Sequence, residues 1–505
     1  DVEVSSPCTR YSESFIDADY TYESVDAVVE GGKLKLTPKK EELAFRTERK
    51  VPKVGLMMVG WGGNNGTTLT AAITAHRKGL VWHSREGEHR PDWFGSVTQS
   101  ATTRVGSYGG RDVFSPLHRL VPMVQPTDLV LGGWDISGMP LGDAMVRAKV
   151  LPYDLQRQLV DELNHLKPLP APFDESFVAS NQAERADNVL DGGKEEQVAA
   201  IRGHIRAFRE ENKLDKVIVL WTATTERYCE VKEEVHGSAE SLLAAIASNH
   251  PEIPPSQLFA VASVQEHCAF INGSPQNTFV PGIIELARSN GVFVAGDDFK
   301  SGQTKLKSAL VDFLVNAGIK PEAIVSYNHL GNNDGRNLSA APQFRSKEIS
   351  KSTVVDDMVE ANPILYPDPS KDHPDHTVVI KYVPSVGDSK RALDEYVCRI
   401  FMGGLQTISL YNQCEDSLLA APIILDLVIL TEFFQRVTVR RSPTGPYSSL
   451  DSILSLLSYL LKAPLVKEET PVVNSLYRQR EALTNVLRAC VGLPPESHML
   501  LEHKM

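Results

Sequence analysis

Residues 54–68 read VGLMMVGWGGNNGTT and decide the fold. The first six residues form a short apolar run that predicts a buried strand, and TLTAAITAHRKG (68–79) has the pattern of a helix. Between them, glycines at positions 60, 62, 63 and 66 form a tight turn. Because glycine lets a ligand approach the backbone closely, N–H groups at the start of the helix are free to bind a pyrophosphate. The segment therefore predicts the strand, turn and helix of a dinucleotide-binding fold.

The spacing of these glycines departs from the usual pattern. Gly60, Gly62 and Gly66 give GxGxxxG, one residue longer than GxGxxG. A plain tight turn between a strand and a helix is the alternative, and the correct flanking elements favour the dinucleotide site. The acidic residue expected about 20 positions on, which binds the ribose, is ambiguous. Candidates are Glu86, Glu88 and Asp92 in an irregular segment, or Asp135 in LGGWDIS, where it could instead cap a helix.

Short apolar runs recur outward from this segment and alternate with helical patterns. Helices are predicted at 195–213 and 281–291, and such alternation indicates an α/β fold with a doubly wound parallel sheet. The runs that we interpret as buried parallel strands are 54–60, 127–133, 215–221, 258–264 and 290–296.

The pattern changes near residue 300, which indicates a second, α+β module. We predict a helix at 301–318, a loop-rich stretch at 326–339, strands at 376–384 and 405–412, and an apolar helix through residue 435. The tail, LDSILSLLSYLLK from position 450, again predicts helix. The first 50 residues are polar and are interpreted as an extended arm.

Composition places the chain among ordinary globular proteins. With 505 residues it is too long for one core, and 42% hydrophobic and 23% charged residues are typical values. A net charge of −12 argues against nucleic acid or an anionic membrane as main partners. We find no secretory signal, and Asp426 interrupts the most apolar run, so we expect no membrane span. Six scattered cysteines without a CxxC pair suggest reduced thiols, a cytosolic location and no metal site.

Polar clusters lie where strands pass into helices in the second half of the chain. Each has an ordinary explanation, since lysine pairs are usually solvated and Asp or Ser before an apolar helix is usually a cap. Their accumulation favours a ligand site. Several lysines would suit a phosphorylated sugar, because one can bind phosphate while another transfers protons. The residues alone thus indicate an NAD enzyme acting on a phosphorylated polyol. The clusters are GDDFKSGQTK (296–305), YNHLGNNDG (327–335), FRSKEISKS (344–352), VGDSKRALDEY (386–396), read as a helix start, and CEDS (414–417).

Nearly the whole chain, from about residue 50 onward, resembles the eukaryotic myo-inositol-1-phosphate synthases. Thr224 stands where that family commonly has Asn, a small change in the cofactor cleft. The motifs that carry the resemblance are, in order, GWGGNNGTT, GGWDIS, LWTATTERY, NGSPQNT, GDDFKSGQTK, SYNHLGNNDG, FRSKEISKS, VGDSKRALDEY, CEDSLLAAP and LLKAPL.

The resemblance implies a redox-neutral isomerisation with tightly held NAD. Carbon 5 of open-chain glucose 6-phosphate is oxidised, an enol or enolate at carbon 6 attacks the carbon-1 aldehyde, and the returned hydride gives an inositol phosphate. It also implies a homotetramer, with contacts from a catalytic module at 305–419. That module interrupts an NAD domain at 51–304, to which the segment 420–505 returns, and residues 1–50 form the arm.

Site residues also follow from the resemblance, position by position. We expect Lys347 and Lys390 to lie in polar loops, so that replacing them would spare the fold. The implied catalytic residues are Lys347, Lys351, Lys390, Lys462, Asp298 and Asp416. The implied substrate-binding residues are Ser301, Gly302, Asn328, Asn332, Asn333, Asp334 and Asp388, with Lys351 also in the phosphate cradle. The implied cofactor-binding residues are Gly62, Gly63, Asn64, Asn65, Asp135, Gln182, Arg185, Thr222, Ala223, Thr225, Gly273, Ser274, Asp298, Gly387, Asp388, Asp416 and Ser417.

Three other functions are compatible with parts of this pattern. A conventional dehydrogenase would accumulate NADH, and a lysine Schiff-base aldolase would form an adduct that borohydride traps. A non-catalytic NAD-binding scaffold would consume no sugar phosphate.

Overall fold

A computed structural model describes residues 2–442, 444–499 and 501. Its centre is a parallel sheet of five strands, which confirms the predicted α/β class. Four of its strands coincide with predicted apolar runs. In spatial order the strands are Val294–Ala295, Ala269–Asn272, Lys216–Trp221, Val54–Val59 and Val130–Trp134.

Strand order creates a crevice at one point of this sheet. Val54–Val59 pairs with the next strand of the sheet along the chain, Val130–Trp134, on one side and with Lys216–Trp221 on the other. The connections therefore leave in opposite directions from the strand that precedes the glycine turn. In open α/β sheets ligands bind at this switch point, outside the carboxyl ends of the strands.

Both faces of the central sheet are covered by helices, which explains why its strands are apolar throughout. Leu56 and Met58 face a core that includes the helices Asn64–Lys78 and Asp416–Gln435. On the opposite face, Met57 and Val59 pack with helices that include Lys194–Glu211. The sheet is thus rigid, and the polar residues at its carboxyl edge are held by a closely packed scaffold.

A second sheet of four strands forms the α+β module. Its first two strands pair in parallel, and the remaining pairs are antiparallel. The helix Gly302–Asn316 connects the central sheet to this module, and the helix Ala341–Ser352 lies between the module's first two strands in the chain. Both helices carry residues of the polar clusters. The strands, in spatial order, are Asp375–Tyr382, Lys320–Leu330, Ser389–Arg399 and Leu405–Glu415.

The N-terminal segment is extended, as expected, but it is also part of a sheet. Phe15–Glu30 and Lys33–Glu48 form a long hairpin, whose base pairs with Val437–Arg440 near the end of the chain. Ile16 and Phe45 at that base are buried, whereas the hairpin tip is exposed. The base belongs to the protein core and only the outer part projects from it.

The expected strand at 258–264 is wrong, because these residues lie in the helix Pro255–Gln265. A continuous apolar run has no periodicity that separates a buried strand from a helix buried on all sides. Pro255 occupies the first helical turn, where its missing N–H costs nothing. The neighbouring strand of the sheet is instead Ala269–Asn272.

Three local expectations in the second half are also corrected. The stretch 326–339 is not loop-rich throughout, since it continues the strand Lys320–Leu330 and contains the helix Asn333–Asn337. Ser389 and Lys390 begin the strand Ser389–Arg399 rather than a helix, and they pair with the neighbouring strand. Of the helix expected from position 450, only a 3₁₀ segment, Ser455–Leu460, forms.

One helix among the described residues, Asp416–Gln435, is long and apolar enough to cross a membrane, although it contains Asp426. It is mostly buried inside the protein. The Asp426 carboxylate accepts hydrogen bonds from the Ser96 and Thr98 hydroxyls at 2.6 Å each, which satisfies it within the core. Core helices of globular proteins have the same composition, so this helix is weak evidence for a membrane span.

The other described elements are shorter strands and further helices around the three larger sheets. The remaining strands are Thr9–Tyr11, Trp82–Ser84, Gly87–His89, Thr102–Tyr108, Arg111–Pro116 and Ser448–Ser449. The remaining helices are Val97–Ser100, Leu141–Ala148, Tyr153–Leu163, Glu233–His236, Ala239–Ala247, Pro281–Asn290, Asp356–Glu360 and Leu476–Ala489.

Candidate active site

The glycine turn passes close to the neighbouring strand end. Gly60 has a positive φ of 90°, and a Cβ there would lie 2.6 Å from the Cα of Ala223. A Cβ on Gly66 would lie 2.3 Å from the carbonyl oxygen of Trp61. Both positions therefore require glycine, and the imperfect motif spacing still produces a closed turn ahead of the helix Asn64–Lys78.

Side chains from several strand ends meet at this turn. The Asn65 amide donates to the Thr222 hydroxyl at 2.9 Å, which connects the first helix with the end of Lys216–Trp221. The Asn64 amide donates to the Asp388 carboxylate at 3.3 Å, which connects it with the second module. The crevice at the switch point is thus bounded on both sides by polar groups.

Asp135 occupies the position expected of a ribose ligand. It is buried directly after the strand Val130–Trp134, and the Arg185 guanidinium donates to its Oδ1 at 3.2 Å. The Asp135 carboxylate also accepts from the Ser137 backbone N–H, so it caps a turn rather than the helix that begins at Leu141. Glu86, Glu88 and Asp92 do not line the cavity described next.

A cavity of about 940 Å³ extends from the glycine turn to the second module. Within the described part of the chain, the Thr225 hydroxyl and the Arg185 Nε are buried at its wall with no hydrogen-bond partner. Unsatisfied buried polar groups are uncommon, and here they line space that a polar ligand would fill. Together with the glycine cradle and Asp135, these groups fit the expected NAD.

Asp298 is the centre of a buried cluster at the other end of this cavity. Its Oδ1 accepts from Lys347 Nζ at 2.9 Å and from Lys462 Nζ at 3.2 Å, and its Oδ2 accepts from the Ser350 hydroxyl at 2.7 Å. Burial alone would raise the pKa of Asp298, but the Lys347 and Lys462 ammonium groups outweigh it and lower that pKa. Asp298 is therefore a carboxylate throughout the physiological range.

The two lysines that share Asp298 differ in proton affinity. Burial lowers the pKa of Lys462 to about 7, with Asp298 only partly opposing it. For Lys347 burial also opposes the charge, but the Asp298 carboxylate and then Asp334 outweigh it and raise its pKa. One carboxylate thus stabilises one full ammonium, and the second amine is poised to gain and lose a proton near neutral pH.

A second ion pair lies beside this cluster. Lys390 Nζ donates to Asp416 Oδ1 at 3.3 Å, and Ser417 donates through its hydroxyl to Asp388 at 2.7 Å. Burial and then the neighbouring Asp416 raise the pKa of Asp388. Burial would do the same to Asp416, but Lys390 and Lys347 outweigh it and lower its pKa.

Lys351 occupies a more enclosed position. Its Nζ donates to the Asn328 side-chain oxygen at 3.1 Å, and both residues are buried. Burial, and then the positive charges of Lys390 and Lys462, hold the pKa of Lys351 well below its usual range. Proton binding by Lys351 is therefore weaker than by an exposed lysine.

The local structure around two of the lysines differs from expectation. Lys347 lies in the helix Ala341–Ser352 and Lys390 lies in the strand Ser389–Arg399, so neither is in a polar loop. Lys347 and Lys351 lie four residues apart on this one helix. The rigid elements hold the amines more firmly than loops would.

Most of the predicted site residues line this cavity. Five lie directly behind its wall or outside it: Gly62, Gln182, Gly302, Asn328 and Lys351. The lining residues are Gly63, Asn64, Asn65, Asp135, Arg185, Thr222, Ala223, Thr225, Gly273, Ser274, Asp298, Ser301, Asn332, Asn333, Asp334, Lys347, Gly387, Asp388, Lys390, Asp416, Ser417 and Lys462.

Gln182 lies behind a residue of the cavity wall, because its side-chain oxygen accepts from the Asn333 amide at 2.9 Å. Arg147 is a residue that sequence reasoning missed. It lines the cavity and donates to the carbonyl oxygen of Gly62 at 2.7 Å. A single arginine in a helix, 85 residues after the glycine, carries no sequence signal of that contact.

Comparison with known proteins yields one consistent family. The profile of an NAD-binding family described as myo-inositol-1-phosphate synthase matches residues 54–488. Inositol-3-phosphate synthase 1-A of Xenopus laevis is 57% identical over 503 residues, which cover 100% of this chain and 89% of the relative. Inositol-3-phosphate synthase 1 of Oryza sativa subsp. japonica is 56% identical, with 99% of each chain covered.

Solved structures agree with this result. The crystal structure of inositol-3-phosphate synthase from Caenorhabditis elegans superposes with a TM-score of 0.98 at 49% identity, covering 100% of this chain and 98% of that one. A myo-inositol-1-phosphate synthase-related protein from Thermotoga maritima has a TM-score of 0.61 at 20% identity, covering 88% of this chain and 100% of that one. The second similarity shows a shared fold only.

Proposed function

This chain belongs to the myo-inositol-1-phosphate synthase family, and from that premise we propose how its residues convert D-glucose 6-phosphate to 1D-myo-inositol 3-phosphate with NAD. The observation that carries the proposal is the cluster of Lys347, Lys462 and Asp298 in the cavity that also contains the glycine turn. An ammonium, a neutral amine and a carboxylate placed beside a dinucleotide site suit carbonyl and enolate chemistry.

The sugar is held by residues of both modules. The helix Gly302–Asn316 begins after Ser301 at the cavity wall, and backbone N–H groups at a helix start bind phosphate. Asn332, Asn333 and Asp334 line the same cavity and suit the sugar hydroxyls. Gly63, Asn64 and Asp135 would hold NAD, which would supply hydride acceptance at carbon 5 and the later return of that hydride.

Proton transfers are assigned to the amines with lowered proton affinity. As carbon 5 becomes a ketone, neutral Lys462 takes the proton of its hydroxyl group. The Lys351 amine, whose pKa burial lowers, then takes a proton from carbon 6, and the resulting enolate attacks the carbon-1 aldehyde and closes the ring. Lys351 passes the same proton to the carbon-1 oxygen, which becomes a hydroxyl. Charged Lys347 stabilises the enolate oxygen, and charged Lys390 stabilises the oxygen that becomes a hydroxyl at carbon 1. Return of the proton from Lys462 to the carbon-5 oxygen restores the starting state.

The activity test is incubation of the purified protein with glucose 6-phosphate and NAD. We expect inositol phosphate to form while absorbance at 340 nm shows no net NADH, because the hydride leaves and returns within one turnover. Stoichiometric NADH would instead identify a conventional dehydrogenase, and an unchanged sugar phosphate would identify a non-catalytic NAD-binding protein.

We expect the rate to depend on pH through Lys462. Its neutral form is the base and its pKa is about 7, so kcat/KM falls as pH decreases below about 7. The measurement is the pH profile of kcat/KM for the wild type and for Lys462→Arg. In the variant the fixed positive charge removes the base, so activity is low at all pH values and this acidic limb is lost. A wild-type profile that is flat between pH 6 and 8 would exclude Lys462 from proton transfer.

We also propose that the protein is a homotetramer joined through the four-stranded sheet. Tyr327, Leu393 and Tyr411 are direct cross-strand neighbours on its outer face, and each is between 44% and 59% exposed. An apolar row of this kind supports a protein contact. Light scattering should give about four times the mass of one chain, and a monomer mass would contradict this proposal.

The domain boundaries at 50, 304 and 419 and the cytosolic location stay predictions.

A further inference from the structure

Behind Lys351 lies a buried group of side chains that the reaction described above does not use. Lys307, in the helix Gly302–Asn316, is 3% exposed. Its Nζ donates to the Ser326 hydroxyl at 2.6 Å and lies 2.8 Å from Nε2 of His376. A lysine enclosed in this way loses hydration and side-chain entropy, a cost that its two polar contacts offset.

The hydrogen bonds of His376 define its tautomer. Nδ1 lies 3.0 Å from the carbonyl oxygen of Ser352, which can only accept, so Nδ1 carries the hydrogen. Nε2 is then an acceptor, and Lys307 donates to it. Burial, with the nearby Lys307, lowers the pKa of His376 to about 3, so this neutral tautomer is stable at physiological pH.

The hydrogen-bond partners of His376 and Lys307, Ser352 and Ser326, both lie close to Lys351. Ser352, whose carbonyl oxygen His376 binds, is the next residue and ends the helix Ala341–Ser352. Ser326, which Lys307 binds, lies two residues before Asn328 on one strand, so the two side chains share a face about 6.6 Å apart. Asn328 in turn accepts from Lys351. The pair therefore holds the Lys351 amine from both the helix side and the strand side.

We propose that Lys307 and His376 are positioning residues. They fix the end of the helix Ala341–Ser352 and the strand Lys320–Leu330, so that the Lys351 amine is held in the position from which it transfers protons. This inference rests on the proposed function, because it assigns Lys351 to the proton transfers. Other charged groups that act on Lys351 come from its own helix, the adjoining strand and the C-terminal segment. They are Lys347, Lys390 and Lys462.

Lys307→Met tests the proposal, because methionine keeps the shape and removes the donor. We expect kcat to fall about 10- to 100-fold, the cost of misplacing a catalytic group by about 1 Å, while KM for glucose 6-phosphate changes less than about threefold. In the Lys351→Met background the same substitution should change the residual rate less than about twofold, because the group that it positions is already absent. A purely structural lysine would lower the rate by the same factor in both backgrounds, and that result overturns the proposal.

Lys305→Met is the matched control. Lys305 lies in the same helix, and burial lowers its pKa to about 8, as it does for Lys307, but its Nζ lies over the Tyr459 ring at 4.3 Å. We expect its kcat to stay within about twofold of wild type. His376→Phe repeats the double-variant test if Lys307→Met fails to fold. Wild-type kcat in both Lys307→Met and His376→Phe would contradict this inference. A wild-type protein that forms no inositol phosphate would instead contradict the proposed function.

Discussion

Replacing Lys347 with alanine should lower kcat for inositol phosphate formation about 10³-fold. Lys347 is the charged member of the pair that shares Asp298, and no other described ammonium donates to that carboxylate except Lys462, whose pKa is about 7. Loss of one donor to a developing oxyanion typically costs 10²- to 10³-fold, and altered proton transfer at Lys462 adds to it. The measurement is single-turnover formation of inositol phosphate, with NAD binding followed separately.

The fold should survive this change, although not because the lysine is in a loop. Asp298 keeps Lys462 and Ser350 as partners, so the buried carboxylate is not left unpaired. The loss of Lys347 should raise the pKa of Lys462, because Lys462 would then be the only ammonium beside Asp298. The acidic limb of any residual activity should move to higher pH.

Lys371→Ala serves as the control for Lys347→Ala. Its side chain is 83% exposed and pairs with Asp368 at the surface, where ion pairs contribute little. We expect wild-type kcat and Tm. Near-wild-type turnover of Lys347→Ala, with an unchanged pH profile, would remove Lys347 from the mechanism.

The second large effect is expected at the glycine turn. A Cβ on Gly66 would lie 2.3 Å from the Trp61 carbonyl oxygen, so Gly66→Ala must open the turn. Hydrogen bonds from backbone N–H groups to a charged pyrophosphate contribute about 1.5–3 kcal/mol each, and about 1.4 kcal/mol corresponds to tenfold in affinity. We therefore expect NAD binding to weaken at least about 100-fold, as measured by calorimetry or fluorescence quenching, with activity lost in parallel.

Two further variants separate this effect from general instability. Gly203 lies exposed in the helix Lys194–Glu211, and a Cβ there meets nothing within 4 Å, so Gly203→Ala should bind NAD as wild type and unfold at a slightly higher temperature. Gly62→Ala is a milder change, since its Cβ would lie 3.2 Å from the Asp135 carboxylate. It should weaken NAD binding without unfolding the protein. Wild-type NAD affinity in Gly66→Ala would exclude the turn as the cofactor site.

Local chemistry made part of this protein predictable from its sequence. The turn at residues 60–66 depends on glycines that are adjacent in the chain, and the helices at 195–213 and 281–291 depend on periodicity within a single segment. Polar residues directly after apolar strands necessarily lie at one edge of a parallel sheet, because the carboxyl ends of its strands are at the same edge. Short-range patterns and the family motifs therefore predicted the fold class, the cofactor site and the general location of the catalytic groups.

Only the tertiary structure decided which of these groups act on one another. The run 258–264 belongs to a helix that is buried on all sides, so its sequence has no periodicity that separates it from a buried strand. Asp298 meets lysines that are 49 and 164 residues away in the chain; it raises the pKa of Lys347, whereas burial lowers the pKa of Lys462 to about 7. Proton affinity depends on burial and on charges a few ångströms away, so it is a property of the assembled site rather than of any residue in the chain.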